Sequence, residues 1–119
     1  MRRIPTLVHG FIDYSVGAGL LAAPELFDLQ ADATAVFFTR AMGAAAVAYA
    51  AATDYELGLV KAIPMPLHLG IDSLWAAALA VGPHAFGFSR RGKRFWLPHL
   101  LVALTAAAVI ACSDTEWRP

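Results

Sequence analysis

The sequence predicts an all-α fold: a four-transmembrane-helix bundle made of two tandem helical-hairpin repeats in the same orientation. Three observations lead there. The chain of 119 residues is 59% apolar and only 15% charged, whereas a soluble domain is about half apolar and a quarter charged. Its charges are bunched, leaving four long apolar stretches between them. Its two halves match one another at a nearly constant offset.

Nine basic and nine acidic residues give a formal net charge of zero. Most of them fall in five clusters: Arg2 and Arg3; Asp28 and Asp32; Asp54, Glu56 and Lys61; Arg90, Arg91, Lys93 and Arg94; Asp114, Glu116 and Arg118. Only Asp13, Glu25, Arg40 and Asp72 interrupt the stretches between them. Crossing a bilayer core takes about 20 mainly apolar residues, within a range of roughly 17–25. All four stretches meet that length.

The first stretch is residues 5–27. Pro5 suits a first helical turn, where no amide hydrogen is needed, and Pro24 lies close enough to the end to do little damage. Met1-Arg2-Arg3 and the small Ala22 and Ala23 have features of a secretory leader. His9 and Asp13 break its apolar run, however, and a retained span is expected. In the second stretch, residues 33–53, the polar side chains before Thr53 are Thr34, Thr39, Arg40 and Tyr49. They cannot cover one side of a helix, which excludes a soluble bundle. The third stretch, residues 64–82, opens on Pro64 and is followed by Pro83. The fourth, residues 95–113, offers between 97 and 112 only His99 and Thr105, with Pro98 near its start. Helices apolar all round belong in lipid or in a core larger than 119 residues can build. A single cysteine, Cys112, excludes an intrachain disulfide and a cysteine-rich zinc module. Balanced charge argues against nucleic acid as a partner.

The internal match is specific. His9-Gly-Phe-Ile-Asp13 aligns with His68-Leu-Gly-Ile-Asp72, and Pro24-Glu-Leu-Phe27 with Pro83-His-Ala-Phe86, both 59 residues apart. Thr53-Asp54-Tyr-Glu56 aligns with Ser113-Asp114-Thr-Glu116 at an offset of 60. The chain thus reads as one membrane domain, with repeat one at 5–58 and repeat two at 64–117. An even number of crossings gives both copies the same orientation, about an axis along the membrane normal. His9, Asp13, His68 and Asp72 are then expected at equal depth, on the side that also holds Asp54, Glu56, Asp114 and Glu116. Arg40 and His99 are expected at nearly equivalent points on the other side, forming a second polar cluster with Glu25 and His84.

The segments Ile4-Pro-Thr-Leu-Val-His-Gly-Phe-Ile-Asp-Tyr14, Thr53-Asp-Tyr-Glu-Leu-Gly58 and Ile63-Pro-Met-Pro-Leu-His-Leu-Gly-Ile-Asp72 carry a family likeness. Through them the whole chain resembles the SPW-repeat family of small bacterial and archaeal membrane proteins. That family takes its name from a Ser-Pro-Trp at the end of the first helix of each repeat. Here those positions read Ala23-Pro24-Glu25 and Gly82-Pro83-His84, so the proline persists and its neighbours do not. The resemblance implies a multi-pass protein of a prokaryotic cell (inner) membrane, and it implies no activity.

Ionisable groups at membrane depth are costly and point to function by default. His9 and Asp13 share a helix face one turn apart, as do His68 and Asp72. If the first and third spans meet at the repeat axis, two imidazoles and two carboxylates converge. That is a donor set for a divalent metal such as zinc, iron or manganese, or for a proton relay. A haem between His9 and His68 ranks last, because the carboxylates suit an apolar macrocycle poorly. The plainest reading ranks first: each aspartate accepts from its own histidine, and the polar pairs serve only helix packing in a structural or accessory membrane component. No Ser/His/Asp set, phosphate loop or cysteine pair speaks for an enzyme.

Among the remaining residues, Arg40 is expected to snorkel to the nearer surface, with a pairing to Glu25 as the alternative. Trp96, Trp117, Tyr14 and Tyr55 read as interfacial anchors, Trp75 as packing, and Cys112 as a small packing residue near the surface. The Ala-rich run from Gly43 to Ala50 lets helices approach closely. The expected partners are therefore the lipid bilayer and a second copy or another membrane protein. Outside the spans, Lys and Arg divide evenly between the two sides, Arg2, Arg3, Lys61 and Arg118 against Arg90, Arg91, Lys93 and Arg94. The compact Arg90–Arg94 cluster favours a cytoplasmic loop and outside termini.

Overall fold

In the structure, a computed structural model that describes residues 4–114, four α-helices form an all-helical bundle with no strand among the described residues. Arg2, Arg3, Glu116, Trp117 and Arg118 lie outside the described residues. The helices are α1 (Thr6–Leu26), α2 (Ala33–Ala51), α3 (Met65–Ala85) and α4 (Leu97–Cys112), with two 3-10 turns, Phe88–Arg91 and Lys93–Phe95, leading into α4. The first three are long and apolar enough to cross a membrane, whereas α4 is apolar but has only 16 residues. The sequence expectation of a span at 95–113 is thus shortened at its start. Lys93–Phe95 turns as a 3-10 helix, and Pro98 sits at the first positions of α4, where its missing N–H costs nothing.

The internal match in sequence is a match in backbone. α3 begins and ends 59 residues after α1, and both follow an extended proline, Pro5 or Pro64, at the N-cap. Past both helices the chain turns through a left-handed residue, Asp28 (φ 57°) in one copy and Gly87 (φ 82°) in the other. α4 ends near the point 60 residues after α2, so the extra residue belongs to the basic loop between α3 and α4. At the opposite end the two copies are laced together. Thr53 forms a parallel bridge to Ile63, and Ser113 forms the equivalent bridge to Ile4.

Three apolar clusters fill the bundle. Leu20, Ala46, Trp75, Ala76, Leu79 and Ala103 make its centre; Leu29, Ala35, Phe88 and Phe95 close one end and Ala50, Tyr55, Met65 and Leu69 the other. Trp75 packs in that centre and also donates its indole N–H to the Met42 carbonyl at 2.9 Å. Helices α1 and α2 touch through backbone. A Cβ on Gly43 would meet the Gly17 carbonyl oxygen at 2.7 Å, and one on Gly17 would meet Val47 at 2.5 Å. The equivalent positions in repeat two are the buried Ala76 and Ala103, and α3 and α4 are in less extensive contact than α1 and α2.

Three surface expectations are corrected. Arg40 does not snorkel alone: its guanidinium pairs with Glu25 and its Nε donates to the Leu21 carbonyl at 3.4 Å. Tyr55 is no surface anchor but is fully buried, because the loop after α2 folds back beneath the helices. Cys112 faces outward at the last turn of α4 instead of packing. Tyr14 donates to the Leu57 carbonyl at 2.8 Å, and Trp96 lies against the His84 ring.

The loop end is held by Asp32. It caps α2 by accepting from the Ala35 amide at 3.0 Å, and it accepts from Arg91 Nε at 2.7 Å across the repeat. The Ala35 amide foremost, then Arg91, holds its carboxyl below the usual 3.8. A carboxyl lowered by folding stabilises above its unfolded value and loses that contribution as pH falls through the folded one. Wild type is therefore expected to lose stability as the pH drops below 3.8. Asp32→Ala is expected to lack that acid-sensitive component and to be about 1 kcal/mol less stable at neutral pH, read from unfolding curves in detergent. Gly43→Ala is expected to wedge α1 from α2 and cost about 1–3 kcal/mol by the same measurement.

Candidate metal centre

The polar centre is built at the laced end of the bundle. His9 and His68 each occupy the fourth position of a helix, and their amides bond to the Pro5 and Pro64 carbonyls at 3.0 Å in both copies. This common start aims both imidazoles at the repeat axis, where their ring centroids lie 5.2 Å apart.

Each ring is anchored at its outer nitrogen by a hydroxyl from the other copy. His9 Nδ1 lies 2.6 Å from Ser113 Oγ, and His68 Nδ1 lies 2.6 Å from Thr53 Oγ1. Both hydroxyls donate their single hydrogen to a carbonyl one turn earlier: Ser113 to Val109 at 2.5 Å, Thr53 to Tyr49 at 2.6 Å. A hydroxyl whose hydrogen is engaged can only accept. Nδ1 must therefore carry the proton in both rings. Both Nε2 atoms then face the centre, as a lone pair when the ring is neutral and as N–H when it is charged.

Two carboxylates meet them. His9 Nε2 lies 2.9 Å from Asp72 Oδ2 and 3.3 Å from Asp13 Oδ1. His68 Nε2 lies 2.9 Å from Asp13 Oδ2 and 3.1 Å from Asp72 Oδ2. Each histidine is thus nearest to the aspartate of the other repeat, whereas the plain sequence reading pairs it with its own. His68 Nε2 is buried and, close as it is to both oxygens, aligned with neither in a hydrogen bond. Outer partners orient the carboxylates too: Tyr49 donates to Asp72, and Tyr55 donates to Asp13 at 2.8 Å. Burial, and then the charge of Asp13, push the Tyr55 hydroxyl above its usual range, so it remains a donor. The four residues offer ligand atoms all within 4.8 Å of one another. A cavity of about 30 Å³ adjoins them, bordered by His9, Asp13, Tyr49 and Asp72, enough for one water-sized occupant.

The structure brings His9, Asp13, His68 and Asp72 together, but it does not gather Arg40, Glu25, His99 and His84. Arg40 and Glu25 pair on the surface. His99 is buried against Phe38 and Phe88, with Nε2 2.8 Å from Thr39 Oγ1, and His84 lies exposed beside Trp96. The cause is register. Past the loop the offset is 60, so the counterpart of His99 is Thr39, and Arg40 projects roughly 100° further round the helix.

Sequence reading missed the anchoring groups. Thr53 and Ser113 stand out in the sequence as a repeat match at the ends of the second and fourth stretches, with nothing there to mark them as partners of the imidazoles. Tyr49 and Tyr55 have Val109 and Thr115 at the equivalent positions, so the repeat gave no signal for them. No family model, curated protein or solved structure matches the chain.

Thr53→Val is expected to strand the buried His68 Nδ1–H and cost about 1–3 kcal/mol, with Ser113→Ala costing a similar amount at His9. Thr53→Ser, which keeps the acceptor, is expected to stay within about 1 kcal/mol of wild type, all read from denaturation in detergent micelles.

Proposed function

We propose that the chain is a four-span integral membrane protein of two tandem hairpins, a member of the SPW-repeat family in a prokaryotic cell membrane. We further propose that its His9–Asp13–His68–Asp72 centre binds one divalent transition-metal cation. The membrane reading is supported by the large apolar side chains on the outer faces of all four helices, among them Phe11, Phe37, Leu74 and Leu104, with Phe37 76% and Leu74 75% exposed. So much outward apolar surface has no place in a water-soluble monomer. At 16 residues, α4 spans with help from the flanking 3-10 turns and local thinning of the bilayer.

One observation carries the metal reading. The hydroxyl anchors hold both Nδ1 atoms as donors, so two Nε2 atoms and two carboxylates converge with nothing but oxygen and nitrogen between them. Two ionised carboxylates in a low-dielectric interior need two compensating positive charges. A single divalent cation supplies both and lets the imidazoles act as neutral ligands. Two nitrogens and two oxygens suit zinc, iron or manganese. The hydroxyl on each histidine and the phenol on each aspartate are the outer partners that orient metal ligands. Haem fits poorly, since the adjoining cavity holds about one water and not a macrocycle. The second reading, a structural or accessory component without a metal, is supported by the cross-repeat His–Asp contacts themselves. In that case two protons balance the carboxylates and the centre only ties the hairpins together.

Elemental analysis of detergent-purified protein after equilibration with zinc or manganese separates the two readings. One ion per chain is expected in wild type and none in His9→Ala/His68→Ala, with about two protons released per ion bound at low pH. Wild type that takes up no metal at unchanged helicity leaves the structural reading standing and sinks the metal centre.

A further inference from the structure

A groove of about 470 Å³ runs between α1 and α4 at the basic-loop end, walled by Ala23, Phe27, Leu29, Pro98, His99 and Leu101. The repeat explains why it is open. On the other side of the bundle the equivalent space is filled by Phe38, whose ring packs on Phe86 and Phe88 and overlies Gly82 so closely that a Cβ there would meet it at 2.1 Å. Gly82, Phe86 and Phe88 are the counterparts of Ala23, Phe27 and Leu29. The counterpart of Phe38 is Pro98, whose small pyrrolidine ring does not reach across. The groove is thus the Phe38 pocket without its phenylalanine.

The rim of this groove is basic. Arg94 Nε donates to the carbonyl of Asp28 at 3.1 Å, between the groove residues Phe27 and Leu29, and Lys93 stands one residue before it. Of the four loop cations, Arg91 is engaged by Asp32, and Arg94 lies over the Phe95 ring, 4.9 Å from its centroid. The Lys93 side chain is exposed and has no hydrogen bond or ion pair among the described residues, and Arg94 is exposed beside it. About a turn below the rim, in the groove wall, His99 is 2% exposed. Its Nδ1 has no hydrogen-bond partner among the described residues.

We propose that this groove and rim form a binding site for one anionic phospholipid, with an acyl chain in the space left by Pro98 and the phosphate on Lys93 and Arg94. Basic rims beside clefts between spanning helices select acidic headgroups, and an unfilled apolar cleft of this volume is ligand-sized. The proposal rests on the membrane-spanning reading and is independent of the metal centre.

Native mass spectrometry of the detergent-solubilised chain tests it, titrating dioleoylphosphatidylglycerol against dioleoylphosphatidylcholine. Wild type is expected to retain one phosphatidylglycerol per chain, at least tenfold more tightly than phosphatidylcholine. Arg94→Ala and Lys93→Ala are each expected to weaken phosphatidylglycerol about fivefold and leave phosphatidylcholine unchanged. Pro98→Phe, which restores the repeat's aromatic ring, is expected to abolish retention of both lipids at unchanged helicity. Leu101→Trp narrows the same groove from a helix interior and is expected to do the same, so the outcome does not hang on one variant folding. Equal retention of the two lipids by wild type, undiminished retention by the groove variants, or equally tight binding of soluble glycerol phosphate overturns the site. A chain that stays monodisperse once detergent is withdrawn overturns the membrane reading instead, and is told apart by its solubility.

Discussion

The structure depends on a hydrogen atom that two hydroxyls give away. Thr53 and Ser113 each donate to a carbonyl in their own helix, and so can only accept from the imidazole of the other repeat. That single constraint fixes the tautomer of both histidines and turns both Nε2 atoms inward, toward the two carboxylates that set the charge the interior requires. The parallel bridges Thr53–Ile63 and Ile4–Ser113 hold these hydroxyls in place, so backbone closure and side-chain chemistry at this end are one arrangement. Buried polar networks of this kind are costly when any member is unmatched. Here nearly every member has a partner, and the exception, His68 Nε2, lies where a cation would sit.

The internal match supplies the symmetry, and departures from it supply the character of the site. The two histidines and two aspartates obey the repeat, as do their hydroxyl anchors. The phenols do not. Tyr49 and Tyr55 both come from repeat one, and they reach different aspartates, Asp72 and Asp13. Donors at both carboxylates thus arise from a single hairpin, and repeat two has no tyrosine at the corresponding sequence positions. The same division runs through the packing: glycine on glycine joins α1 to α2, alanines take those places in α3 and α4, and Phe38 fills one flank while Pro98 leaves the other open. Repeat one is the tighter half and repeat two the looser.

Much of this was legible in the sequence. The bunching of charge marked the four helices to within a few residues, except where the chain used a different local geometry: the 3-10 turns before α4 consumed part of the fourth stretch. The His-x3-Asp spacing, repeated 59 residues on, identified the four central residues, because equivalent positions in parallel hairpins must lie at equal depth. It could not reveal that each histidine leans toward the opposite aspartate, since helix spacing describes one face of one helix and not the angle at which two helices meet. Arg40 and His99 looked equivalent at an offset of 59, and the loop residue that changes the offset to 60 separates them. Tyr55 looked interfacial because it sits beyond a helix end among charges. Only the folded loop, with Lys61 Nζ donating to the Tyr55 carbonyl at 2.6 Å, carries it inside.

The two parallel bridges have a consequence for connectivity. The junction that leads from repeat one into repeat two, Thr53 beside Ile63, has the same geometry as the place where Ser113 meets Ile4. A gene rearranged so that the second hairpin is translated first, with residues 114 and 4 spliced through a short turn and the polypeptide opened within 57–62, would encode both bridges and the packing of the four helices, and would give up the closed loop in which Lys61 meets the Tyr55 carbonyl. Evolution could shuffle the order of these halves without disturbing the bundle, and the chain can be circularly permuted at that seam.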